Sequence, residues 1–308
     1  MKKPSRNSFI PNTRQQLELP FIQLENHGTD CFINSALQFI MSFNKHSMEP
    51  INISDALVVD MTEEEKQNLD VAQQFVQLAN IQLGNYYAQE FTTAFLKAQP
   101  QIRPRTMDDV TLVLYPLMQN TYIFNQNPFH FQMENLITCS TCHSQSPKVE
   151  NYSSWIVKVP TNPINILQNM LENYMVEGLV GDNQYQCDVC NGKRDAVGQR
   201  TMISCPDVLI IQLARFIQDQ NRFYKNNNDV FIPCNMIYFP CNGIDHRYEL
   251  KSVISHRGNS LQSGHYLTYV KKELQWYEID DDRITKCNPD RMKPNQITIL
   301  AFTKRLDN

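Results

Sequence analysis

Leu24-Glu25-Asn26-His27-Gly28-Thr29-Asp30-Cys31-Phe32-Ile33-Asn34-Ser35 leads into the first segment of this chain with a clear helical rhythm. Ile33, Ala36, Leu37, Ile40 and Met41 recur at the spacing of one helix face, which predicts a helix over 31–43. Cys31 then stands at its first position. Asp30 is a strong N-cap residue, and its carboxylate is expected to accept from an amide near Phe32 or Ile33. Unpaired amides and the helix dipole at that end favour a thiolate. Five residues earlier, Asn26 carries an amide that can donate to a developing oxyanion. A lone cysteine at a helix start is ordinarily a small buried core residue, so Cys31 needs partners to count as a nucleophile.

Two downstream stretches supply them. Ser263-Gly264-His265-Tyr266 precedes a β-prone run, so His265 begins a strand and Gly264 leaves room for close approach. Trp276-Tyr277-Glu278-Ile279-Asp280-Asp281 places Asp280 at the end of the next strand, where it can accept from an imidazole. Three acids in a row, Asp280 to Asp282, are often only a solvated turn, but Trp276 supports a packed strand leading into them. Cysteine, histidine and carboxylate are the parts of an activated thiol nucleophile, and such triads assemble in space rather than in sequence. His256 is the rival base, but it flanks a glycine-bearing loop instead of opening the strand.

The rest of the chain reads as helices first and strands second. Helices are expected over 69–83, with Gly84 as a stop, and near 90–98 and 107–119, with Pro116 kinking or ending the last. The charged stretch Asp60 to Lys66 reads as a solvated loop or helix face, and Asn162-Pro163 as the opening of another helix. Strands are expected at 208–214, 248–255, 265–271, 275–280 and 297–303, in a largely antiparallel sheet. This is an α+β arrangement. With 308 residues, 42% hydrophobic and 19% charged, the chain has a globular composition. A formal charge of −4 gives no broad basic face, so no nucleic-acid partner is expected. No apolar run is long enough for a membrane span and the basic N-terminus lacks the apolar core of a secretory signal, so no membrane partner and an intracellular, cytoplasmic or nuclear, setting are expected.

Cys139-Ser140-Thr141-Cys142 and Cys187-Asp188-Val189-Cys190 are two C-x-x-C pairs. Each can turn both thiolates toward one ion, and together they predict a closed four-cysteine structural zinc site with no chemistry of its own. Of the nine cysteines, Cys205, Cys234, Cys241 and Cys287 have no such spacing and read as ordinary core or loop residues rather than disulfides.

Taken in order, these stretches resemble ubiquitin-specific proteases. Asn26 to Gln38 looks like their cysteine box, Glu177 to Cys190 their second zinc half-site, and Pro206 to Phe216 the strand that follows it. Tyr248-Glu249-Leu250, His256-Arg257-Gly258, Ser263 to Tyr269, Trp276 and Asp280-Asp281 look like the histidine box. The resemblance implies a papain-like core in a thumb–palm–fingers architecture with zinc-bearing β fingers. On this reading 1–19 is an extended lead-in and 20–304 is a single catalytic domain, with a mainly helical thumb over 20–120 and a mainly β palm and fingers over 121–304. It implies hydrolysis after the C-terminal glycine of ubiquitin by a monomeric catalytic domain with no organic cofactor. Cys31 would be nucleophile, His265 base, Asp280 orienter and Asn26 oxyanion donor, with Asp281 assisting. Asp109, His256, Gly264 and Tyr266 would contact substrate, and the loop 256–264 would close over the ubiquitin tail.

The match has departures. Asp30 stands where Thr or Ser is common. The Gln-Asp-Ala-x-Glu-Phe box is reduced to Asp108-Asp109-Val110-Thr111-Leu112-Val113, with Leu112 at the acid position, and Ala214 replaces a lysine. Two other functions compete with a deubiquitinase: a protease for a ubiquitin-like modifier, and a catalytically weak ubiquitin-binding scaffold. The complete Cys31, His265 and Asp280 set argues against the scaffold.

Overall fold

Helix α1, Cys31–Met41, is buried from Cys31 through Ile40. A mainly apolar helix buried on every side belongs inside a core, and here it lies between a helical layer and a large sheet. A computed structural model describes residues 21–43, 58–81, 84–103, 106–124, 126–219, 222–232, 235–260 and 263–305. The expected lead-in 1–19 and Cys234 lie outside the described residues. The helical layer adds α2 (Glu63–Asn80), α3 (Gln89–Ala98) and α4 (Thr111–Gln119). The parallel pair β1 (Gln23–Leu24) and β2 (Asn85–Tyr86) stitches its edge.

The β portion starts with β3 (Phe131–Cys139), β4 (Gln145–Tyr152), β5 (Trp155–Lys158) and β6 (Ile164–Ile166). Helix α5 (Leu167–Tyr174) precedes β7 (Val176–Leu179), β8 (Tyr185–Cys187), β9 (Gly192–Arg194) and β10 (Ala196–Ser204). Then come β11 (Val208–Ala214), β12 (Phe216–Asp219), β13 (Arg222–Lys225), β14 (Asp229–Phe231) and β15 (Met236–Cys241). The C-terminal run is β16 (Ile244–Ser260), β17 (Ser263–Lys272), β18 (Gln275–Asp280), β19 (Arg283–Cys287) and β20 (Ile297–Lys304). The main sheet runs β19-β18-β17-β16-β15-β10-β3-β4, with β7 on β10, and β20 joining β16 to β11 and β5. Its pairings are antiparallel apart from β11–β5 and a single β10–β15 bridge.

The central strands β16 and β17 are buried on both faces because they carry apolar side chains to both sides. Ile254 and Tyr266 join the helical core, while Val253, Leu267 and Tyr269 join a second core beneath. This fixes β16 and β17 against α1, and Thr268 Oγ1 donates to the Ser35 carbonyl at 3.0 Å.

Four expectations are corrected. Helix α2 starts at Glu63, not 69, because Thr62 and Glu65 form a reciprocal capping box. It ends at Asn80, and Gly84, at φ 116°, serves the turn into β2 instead. Helix α4 does not end at Pro116 but continues to Gln119. Asn162-Pro163 leads into strand β6, which pairs parallel with β14, and the helix waits until Leu167. Cys205 and Cys241 are a disulfide pair with Cα atoms 6.0 Å apart. Their strands converge at the Met202–Cys241 bridge, a long-range contact that spacing along the chain does not reveal.

Candidate active site

The turn before α1 is built on Asn26. Its Oδ1 accepts from Gly28 N at 2.9 Å and Asp30 N at 3.2 Å, and Gly28 supplies φ 135°. Asp30 does not cap the helix as expected. Its backbone is already in the helical region at φ −82°, so the side chain points back and accepts from His27 N at 3.1 Å. The backbone bond from Asn34 N to Asp30 O, at 2.8 Å, starts the helix at Cys31. The Cys31 side chain is buried, with 1% of its surface exposed.

His265 enters from β17. Its Nε2 lies 2.5 Å from Asp280 Oδ1, and the ring is also within hydrogen-bonding reach of the Cys31 side chain. The Asp280 hydrogen bond, then that of Cys31, push the imidazole up to about 10, so it is an imidazolium at neutral pH. The same contact holds Asp280 below its ordinary carboxylate value. The three residues named from sequence are thus brought together.

Asp281 also faces inward. The β18–β19 hairpin turns on it at φ 53°, a left-handed conformation that aspartate tolerates. Its Oδ2 accepts from Asn26 Nδ2 at 2.8 Å and its Oδ1 from Asn34 Nδ2 at 2.9 Å. Burial raises this carboxyl while the two amides pull it back. An NH₂ group has two donors, so Asn26 keeps one beyond Asp281. A cleft of about 540 Å³ opens beside these groups, lined by Glu25, Asn26, His27 and Asp280 to Arg283.

His256 is fully buried. Burial first, then Lys225, lowers it to about 4, so it is a neutral imidazole. Lys225 Nζ lies 3.3 Å from its Nδ1 and donates to the carbonyls of His256 and Gly258 at 2.5 and 3.2 Å. Gly264 is required by crowding, since a Cβ there would stand 2.3 Å from His256 Nε2. Tyr266 is 1% exposed. Asp109 sits at the start of α4, accepting from Thr111 N at 2.8 Å and Thr111 Oγ1 at 2.7 Å. The segment expected as a loop continues β16 to Ser260 and resumes as β17 at Ser263. Sequence reading missed Asn34 and Lys225. Asn34, about one helical turn after Cys31, carried a findable signal as one of three polar residues, with Ser35 and Gln38, on a mainly apolar helix.

The second constellation is Cys139, Cys142, Cys187 and Cys190, whose sulfurs all lie within 4.8 Å of one another. Cys139–Cys190 is 4.0 Å and Cys142–Cys187 3.6 Å. Tetrahedral zinc with bonds of about 2.3 Å sets its sulfurs about 3.8 Å apart, so the cluster has the dimensions to hold a metal. The β3–β4 turn and the β8–β9 hairpin each supply two of the four.

The sequence profile of the ubiquitin carboxyl-terminal hydrolase family matches residues 22–302. The chain belongs to this family. Ubiquitin carboxyl-terminal hydrolase 48 of Gallus gallus is 24% identical over 315 residues, covering 92% of this chain and 29% of the relative. Ubiquitin carboxyl-terminal hydrolase 15 of Schizosaccharomyces pombe is 26% identical over 297 residues, covering 91% of this chain and 26% of its own length. The chain therefore spans under a third of these relatives. The fold is that of Ubp8 in the SAGA Ubp8/Sgf11/Sus1/Sgf73 DUB module bound to ubiquitin aldehyde. The TM-score is 0.71 at 20% identity, over 98% of this chain and 72% of that one. The α+β expectation is met by this ubiquitin carboxyl-terminal hydrolase fold.

Proposed function

We propose that this ubiquitin carboxyl-terminal hydrolase domain, spanning 20–304, is a thiol deubiquitinase cleaving after the C-terminal glycine of ubiquitin inside the cell. The observation that carries this is the His265 ring, held by Asp280 at 2.5 Å on Nε2 and within reach of the Cys31 side chain. His265 carries the proton of the Cys31–His265 pair. Cys31 Sγ attacks the glycine carbonyl carbon, and the oxygen takes negative charge toward the spare N–H of Asn26. The carbon–nitrogen bond breaks as His265 gives its proton to the leaving amine, which departs and leaves a thioester on Cys31. Water then attacks the thioester, His265 takes its proton, and the carbon–sulfur bond breaks to free the ubiquitin carboxylate. Asp280 holds the ring in its working orientation throughout. Asp281 holds Asn26. Asp109, at the start of α4, and Gly264 would face the tail, while His256 and Tyr266 are buried and support that wall from behind.

Cys139, Cys142, Cys187 and Cys190 would hold one zinc ion, whose closed four-sulfur shell supplies structure alone. Ubiquitin carrying a C-terminal electrophile tests the activity. The expected result is one covalent adduct, mapped to Cys31 and absent from Cys31→Ala. No adduct, or attachment at another cysteine, overturns the reading, and faster reaction of a ubiquitin-like modifier reassigns the substrate.

A further inference from the structure

Asp280 has two oxygens, and His265 uses only Oδ1. The other, Oδ2, lies 3.1 Å from Arg257 Nη1. We propose that Arg257 is a positioning residue for the triad, gripping the Asp280 oxygen that His265 leaves and so fixing the plane of the carboxylate. The inference rests on the Cys31–His265–Asp280 reading above.

The register places Arg257 for this. Arg257 on β16 is the direct cross-strand partner of His265 on β17. The base and the guanidinium therefore leave the sheet from one rung. Asp280 and Glu278 lie two residues apart on β18 and share a face. Arg257 spans both, with Nη2 3.4 Å from Glu278 Oε1. Glu278 is 7% exposed. Its Oε2 accepts from Tyr269 O–H at 2.8 Å and Arg291 Nε at 3.1 Å. The guanidinium is thus anchored on a carboxylate that is itself fixed from two other elements.

Asp280 needs that anchor. It ends a strand at a hairpin turn, and its side chain is 24% exposed. A single hydrogen bond to His265 fixes one oxygen and leaves the carboxylate free to swing about it. A second partner on the other oxygen removes that freedom. The rigid planar fork of arginine suits the task better than the point charge of lysine. A swinging carboxylate would leave the imidazole without a fixed direction toward Cys31, and the loss would appear in the chemical step rather than in binding.

Four proteins test this: wild type, Arg257→Gln, Asp280→Asn and the double variant, assayed for kcat and KM on ubiquitin with a fluorophore amide at its C-terminus. Asp280→Asn is expected to lower kcat by orders of magnitude. Arg257→Gln is expected to lower kcat about 10- to 100-fold with KM unchanged. In the Asp280→Asn background the same change should cost less than about threefold, because its route to the chemistry is already gone. Equal losses in both backgrounds, or a loss carried by KM, overturn the proposal. An unchanged rate for Asp280→Asn instead overturns the triad, and the role of Arg257 with it. Should Arg257→Gln not fold, Glu278→Gln takes its place in the cycle, since it leaves the guanidinium but removes its anchor. It should lower kcat in the same direction, and only while Asp280 is present; an additive effect again overturns the proposal.

Discussion

Asp281 joins the two halves of the site through two amides, Asn26 before α1 and Asn34 within it. Its side chain is only 11% exposed, so these bonds count for more than surface ones. Asp281→Ala leaves both amides without an acceptor. It is expected to cost on the order of 3 kcal/mol in chemical denaturation and to lower kcat by freeing Asn26; unchanged stability and rate would remove the clamp from the account. The His265–Asp280 pair makes a pH prediction. The imidazole is raised to about 10, so its stabilisation is complete below the ordinary 6.5 and fades as pH rises toward 10. The Asp280 carboxyl is lowered, so its share is present above the ordinary 3.8 and is lost as acid protonates it. The Tm gap between wild type and Asp280→Asn should therefore be widest between about pH 4 and 6.5 and narrow toward pH 10. A gap flat across that range means the pair is not linked to folding. Residue identities in this site were legible because each box carries its own local pattern. The direction of Asp30 was not, since a cap residue one step inside the helical region turns its side chain the other way.

Among elements, α2 shows what periodicity hides. Its apolar stripe begins at Leu69, while its first two turns lie largely in solvent and carry no stripe to read. The start was written instead in Thr62-Glu63-Glu64-Glu65, where Thr62 Oγ1 accepts from Glu65 N at 3.2 Å and Thr62 N donates to the Glu65 carboxylate at 2.7 Å. Thr62→Ala should cost about 1 kcal/mol, read as a lower denaturation midpoint with unchanged hydrolysis. An unaffected midpoint would show that the helix start is held by packing rather than by its cap. Strand β6 was misread for a related reason. Asn162-Pro163 matches a helix start locally, but Asn165 Nδ2 donates to the carbonyls of Asn162 and Asp229, at 2.8 and 3.2 Å, and ties the segment to β14. Sequence proximity cannot announce a partner so distant. The C-terminal strands were legible because their alternation is local and strong.

Across the whole molecule, two covalent or metal-ready clips lie in the β portion, and neither contains the nucleophile. The C-x-x-C pairs could be read from spacing, whereas the Cys205–Cys241 pair exists only because β10 and β15 meet. The four-cysteine cluster joins the β3–β4 turn to the β8–β9 hairpin, and among the described residues no side chain of β8 or β9 joins the large apolar cores. The core around Cys31 is assembled separately, from helices α1 to α4 and one face of the sheet. Loss of metal should therefore loosen one region and spare the other. Stripping the proposed zinc with a chelator, or replacing Cys142 with Ser, is expected to lower Tm and to raise KM for ubiquitin. The rate at which a small alkylator labels Cys31 should hold, because the His265 ring and the start of α1 draw nothing from the cluster. Comparing the two readouts on one sample decides it. If labelling of Cys31 slows in step with hydrolysis, the cluster supports the catalytic core itself and the division of the molecule into two independently braced parts is wrong.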